Sequence, residues 1–178
     1  LVWVLATVGI LAFTAIAVAQ LYNTPEEIAS YGEAVVSDAL IAINGHVEGI
    51  DTLGGIIQDE FGFIASFLMP LIGLALIAAL TRGEEESGRL EALLAGKIDR
   101  RAPVVSAMML VLAAVVMMDV GFVLSLLAAG IEFGPAVLYA LALGMVTVVF
   151  AALAAVCAQV VLHSRGVFAL GFLAVGLS

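Results

Sequence analysis

Charge, cysteine and basic residues are all scarce in this chain. Of 178 residues, 12% are charged, one is cysteine and two are histidine. An ordinary soluble domain is about 25% charged, and a small globule leaves much of its surface exposed to water. With 64% hydrophobic residues, a soluble fold has too little polar surface to cover itself, and a disordered chain would need the opposite composition. The lone Cys157 excludes an internal disulfide framework and a cysteine-rich metal centre. Six basic residues against 15 acidic ones give a net charge of -9, which argues against nucleic acid as a partner. A phosphate-binding loop of the form Gly-x-x-x-x-Gly-Lys-Ser/Thr is missing too. The single Gly-Lys pair, Gly96-Lys97, runs into Ile98 without the upstream glycine. Nucleotide hydrolysis is not a property this sequence carries.

Long apolar runs are what the chain has. A helix rises about 1.5 Å per residue, so a hydrocarbon core of about 30 Å takes roughly 20 apolar residues to cross. Residues 1–22, 61–81, 104–130 and 135–162 satisfy that length, and Asp119 is the one charge among them. A fifth run, 167–178, is too short. The expected fold is all-α: a polytopic transmembrane helical bundle of four full spans and a truncated fifth. The chain begins with Leu1 inside one apolar run and ends inside another, so it reads as a single transmembrane domain that is a fragment of a larger protein. The first run offers a passable cleavage pattern at Ala17–Gln20. It lacks a basic leader and exceeds the usual signal core of about 7–15 residues, which favours a true span.

Charge placement predicts the orientation. Arg82, Arg89, Lys97, Arg100 and Arg101 lie between spans two and three, and Arg165 follows span four. The positive-inside rule puts both loops in the cytoplasm of a multi-pass plasma-membrane protein. Segment 23–60, with eight acidic residues and no Lys or Arg, then faces outside.

The outer segment reads as helical. Ile28, Tyr31, Val35, Ala39 and Ala42 share one helical face. Thr24-Pro25-Glu26-Glu27 has the form of a helix start, with Thr as N-cap, Pro at the first position and acids in the first turn. Asn44-Gly45 would end that helix. Asp51-Thr52 would cap a second, short helix carrying Leu53, Ile56 and Ile57. The segment is then either a small helical cap on the outer face, or an outer gate or a surface that meets cargo or a partner.

The inner segment 82–103 is neutral but dense in charge, with five basic and five acidic residues. Leu90, Leu93, Leu94 and Ile98 fall on one helical face, with Glu84, Glu85, Arg89 and Glu91 mostly off it. An amphipathic helix at the cytoplasmic interface is expected, with a weak Glu85–Arg89 pair one turn apart. Basic residues at its end suit both the helix dipole and lipid headgroups.

The run Glu85-Glu86-Ser87-Gly88-Arg89-Leu90-Glu91-Ala92-Leu93-Leu94-Ala95 resembles the Glu-Glu-x-x-Gly-x-x-Glu-x-Leu-Leu signature of ABC-2 type permeases. Ile50-Asp51-Thr52-Leu53-Gly54-Gly55 and Thr81-Arg82-Gly83-Glu84-Glu85-Glu86 are similar to a branch of antibiotic or polyketide exporters. Lys97-Ile98 departs from the Pro-Val that the family usually carries there. The resemblance implies a membrane subunit of an ATP-driven exporter of a hydrophobic or amphipathic compound. It implies that Glu84, Glu85, Glu86, Gly88, Arg89, Glu91, Leu93 and Leu94 form a coupling helix against a separate ABC ATPase subunit. ATP and Mg would then be held by that partner, with no cofactor or metal in this chain. A second permease half or a homodimer mate would complete the assembly in the bilayer.

Two further residues are candidates inside the spans. A charge at mid-bilayer costs about 2.5–3.5 kcal/mol on insertion scales. Asp119 therefore either lines a transport path for a cationic group, or is protonated or hydrogen-bonded and ties span three to a neighbour. Pro70 removes one backbone hydrogen bond from span two, so a kink is expected there, serving as a hinge or only as packing geometry. Small residues Ala140/Gly144 and Ala154/Ala158 permit close helix contact. Two rival readings remain. A secondary transporter needs ionisable or broken-helix sites at the midplane, and Asp119 with Pro70 offers limited support. Glu84-Glu85-x-x-x-Arg89 also matches an element of CAAX-type intramembrane proteases. That family needs a Phe four residues before its histidine, and Gln159 stands four before His163.

Overall fold

A computed structural model describes residues 1–35, 37, 41–42, 45, 47–81 and 102–160, with side chains to residue 158. Its elements are α1 (Val2–Leu21), α2 (Pro25–Val35), α3 (Leu53–Leu80), α4 (Ala102–Ala128) and α5 (Phe133–Val160), and no strand occurs among the described residues. Helices α1, α3, α4 and α5 are long and apolar enough to cross a membrane. At 1.5 Å per residue their 20–28 residues extend about 30–42 Å. Large apolar side chains such as Phe13, Phe67, Met109, Val116, Leu138 and Val149 are exposed. Water would not tolerate that surface, and hydrocarbon would.

Two compact units divide the chain: Leu1–Ser66 with Met117–Ala142, and Phe67–Val116 with Leu143–Ser178. In the first, Leu11, Ala15, Ile56, Phe61, Met118 and Phe122 are buried. Phe61 meets Phe122 edge-to-face, with ring centroids 6.1 Å apart. A Cβ on Gly121 would come within 2.6 and 2.8 Å of the Val8 methyls, so α1 crosses α4 closely there. In the second unit Leu74, Ile77 and Ala78 of α3 pack with Ala107, Val111 and Val115 of α4 and with Ala151, Ala154 and Ala158 of α5. Gly73 lies so close to α5 that a Cβ would overlap the Thr147 carbonyl and stand 2.9 Å from the Ala151 nitrogen. Ala154 and Ala158 act as the small-residue spacing suggests, while the Gly73 contact has no such pattern to announce it.

The helix ends follow local chemistry. Thr24 caps α2, with its Oγ1 accepting the Glu27 N–H at 3.3 Å, while Glu27 Oε2 accepts the Thr24 and Asn23 N–H groups at 3.1 and 3.0 Å. This is a reciprocal capping box. Helix α2 runs to Val35, Ile41 and Ala42 are again helical, and Asn44 of the expected helix end lies outside the described residues. Gly45 does have a positive φ of 81°, and its N–H donates to the Ile41 carbonyl at 2.9 Å. Thr52 caps α3, its Oγ1 accepting the Gly55 N–H at 3.1 Å. That helix then runs on to Leu80, so the expected short outer helix and span two are one element. Helix α4 closes on Gly130, where φ is 89°. The Ile131 N–H donates to the Leu126 carbonyl and the Gly130 N–H to the Leu127 carbonyl, both at 3.0 Å. These two bonds form a Schellman motif. Pro135 falls in the first turn of α5, where its missing N–H has no helical partner to lose.

Candidate functional site

Hydroxyl groups within the long helices are mostly satisfied by the helix that carries them. Thr7, Thr81 and Ser125 donate to the carbonyl one turn back at 2.7–2.8 Å, and Thr147 at 3.2 Å. Local bonding of this kind lets a polar side chain reside in hydrocarbon without a tertiary partner. Two buried atoms among the described residues find no partner, Asp119 Oδ1 and the Tyr139 hydroxyl. Leaving such a group unsatisfied costs about 1–3 kcal/mol, and more when it is charged. Asp119 is half-buried on α4, next to the buried Met118 and two residues before the Gly121 contact with α1. Asp119 therefore carries an enclosed carboxyl oxygen without a donor among the described residues.

Pro70 is buried in α3, and the helix continues through it. Its ring cannot donate to the Ser66 carbonyl, so the ladder loses one bond without ending. Apolar packing on both sides, with Met69 and Ile72 fully buried, holds the segment helical. The proposed coupling residues Glu84, Glu85, Glu86, Gly88, Arg89, Glu91, Leu93 and Leu94 lie outside the described residues. So do His46, His163 and all six Lys and Arg residues. Of the sequence-derived candidates, Asp119 and Pro70 belong to different compact units.

Sequence reasoning missed two features of the first unit. One fastens α2 to α3. The Tyr31 hydroxyl lies 2.7 Å from Asp59 Oδ2 and 2.9 Å from Glu60 Oε1. Its single proton serves one carboxylate fully or is shared between both. Burial, together with hydrogen bonds to Asp59 and then Glu60, holds the phenol well above its usual titration range. Tyr22 stacks edge-on against Tyr31 at 5.1 Å, and Gly32 packs against Ile50, whose Cγ2 would be 3.7 Å from an added Cβ. Tyr31 on the apolar face of α2 was visible in the periodicity. Its carboxylate partners were not, because Gln58-Asp59-Glu60 reads as solvent-facing polarity that ends an apolar run.

The other feature is a cleft of about 220 Å³ within the same unit. Ile57, Leu126, Ile131 and Pro135 form apolar wall, and Glu48, Gln58 and Tyr139 supply polar groups. Gly54 and Gly55 of the first turn of α3 line it as well. At Gly55 a Cβ would overlap the Gly49 carbonyl and come within 2.9 Å of the Ile50 Cα, so the preceding loop lies directly against the helix. At Gly54 the nearest atom to a Cβ would be Ile131 Cδ1 at 3.8 Å, an ordinary contact. No group of three or more His, Cys, Asp or Glu able to hold a metal occurs among the described residues. No family model and no curated protein matches the chain.

Proposed function

We propose that the chain is a permease subunit of an ABC-type exporter, moving a hydrophobic or amphipathic compound out of the cell under the drive of a separate ATPase. The observation that carries this reading is the Glu85–Leu94 run between the second and third long apolar helices. Its resemblance to the ABC-2 signature supplies the expected ATPase contact. The arrangement of α3 and α4 makes the mechanism physically reasonable. Segment 81–101 joins Leu80 to Ala102, and the adjoining halves of α3 and α4 share one core. A force that reaches either helix would pass to the other through that shared core. In this reading segment 82–103 is cytoplasmic, segment 23–60 faces outside and the membrane is the plasma membrane. ATP and Mg belong to the partner, and a second permease half or homodimer mate completes the pore.

Affinity purification of the chain from its own membranes tests the partnership. The expected result is a stoichiometric subunit bearing phosphate-binding-loop motifs, lost from the Glu85→Lys/Glu91→Lys variant that still inserts in the membrane. A wild-type chain recovered without any such subunit contradicts the reading. Asp119 is tested separately. Asp119→Asn keeps the shape and removes the charge, so insertion is preserved; unchanged export of every cationic cargo would remove it from the transport path.

A further inference from the structure

We propose that the cleft between the start of α3, the end of α4 and the start of α5 is a binding site for a small amphipathic organic cation, an ammonium group carried on an apolar body. Its walls set the body. Ile57, Leu126, Ile131 and Pro135 are apolar, and about 220 Å³ exceeds the cavity of about 150 Å³ that encloses a benzene ring. Its polar groups set the head. Glu48 carboxylate and the Gln58 side-chain carbonyl both accept N–H bonds, and Tyr139 adds an aromatic residue to the lining, the residue type that attracts cations.

Charge decides between a cation and an anion. Two helix N-termini, those of α3 and α5, border the cleft, and each contributes about half a positive charge. Against them stand the Glu48 carboxylate in the lining and the C-terminal end of α4 at the lining residue Leu126, which contributes about half a negative charge. One carboxylate and one half-charge outweigh two half-charges. The wider field has the same sign, because the described residues of this unit include Glu26, Glu27, Glu33, Asp59 and Glu60 and hold no Lys, Arg or His. A metal ion is disfavoured, since no group of metal-ligating side chains occurs among the described residues. An organic ammonium needs one carboxylate and an apolar wall, and both are present. The site stands independently of the transport reading, because it rests on the cleft alone.

The test is calorimetric titration of 2-phenylethylammonium into the full chain in phosphatidylcholine nanodiscs, with empty nanodiscs as the blank. Uncharged 2-phenylethanol serves as the matched probe. The expected result is saturable binding of the cation, at least about tenfold tighter than the alcohol. Glu48→Gln should weaken it by about tenfold, and Gly54→Val, which extends into the cleft, should abolish it. Glu26→Gln removes a carboxylate from outside the lining and should change affinity by less than about twofold. No saturable binding at millimolar probe overturns the proposal. So does equal affinity for the alcohol, or equal weakening by Glu48→Gln and Glu26→Gln, which would reveal only a diffuse field. Each variant is first shown to keep the wild-type elution profile and melting temperature, and Glu48→Gln, at an exposed position, keeps the test decisive should Gly54→Val fail to fold.

Discussion

At the scale of single residues, contacts with backbone matter most, because backbone cannot move aside. Gly73→Ala places a methyl group against the Thr147 carbonyl and the Ala151 nitrogen, so α3 and α5 must separate. The expected cost is about 1–3 kcal/mol, read as a lower melting temperature in detergent. Gly9 has nothing within 4 Å of an added Cβ, so Gly9→Ala should leave the melting temperature unchanged or slightly raised. Tyr31 carries a different kind of prediction. Its folded titration lies above the unfolded value near 10. The stabilisation linked to its proton is therefore complete below about pH 10 and declines as the pH rises beyond it. Thermal unfolding measured from pH 8 to 11 should show an alkaline loss that Tyr31→Phe flattens. The same variant should lose about 1.5–3 kcal/mol at neutral pH, the usual worth of a hydrogen bond to a charged group. An unchanged alkaline slope would show that the Asp59 and Glu60 contacts do not govern the phenol.

Caps and breaks govern the elements. Thr52→Ala removes the acceptor of the Gly55 N–H and should cost about 1 kcal/mol. Gly130→Ala forces a side chain into a backbone at φ 89° and should cost about 1–2 kcal/mol. Hydrogen exchange would locate the first loss at the start of α3 and the second at the α4–α5 turn. Exchange that rises evenly over the whole chain would contradict both assignments. The spans were legible in the sequence because run length and apolarity are the same property that a bilayer selects, and Thr24-Pro25 was legible because capping is local. The continuity of α3 was not legible. Gln58-Asp59-Glu60 looks like the polar edge of a span, yet Asp59 is buried with its Oδ2 bonded to a residue 28 positions earlier. A partner that distant leaves no periodic trace. The Glu48–Tyr139 cleft was illegible for the same reason, since it is assembled from the loop before α3 and the facing ends of α4 and α5.

At the scale of the molecule, composition points to the bilayer as solvent, and the orientation that the transport reading uses rests on charge placement alone. The described helices carry exposed apolar surface that suits lipid, and the charge-dense segment 81–101 joins two helices of one packed core. In the proposed function, force from ATP hydrolysis enters the membrane through that segment. Inside-out vesicles from cells producing the protein, loaded with a panel of amphipathic fluorescent compounds, measure this directly. The expected result is uptake of at least one compound that requires ATP and survives collapse of the proton gradient. Glu85→Lys/Glu91→Lys should abolish this uptake while the variant remains in the membrane at wild-type level. ATP-driven uptake that the double variant leaves intact would contradict the proposed coupling, as would uptake that follows the proton gradient and ignores ATP.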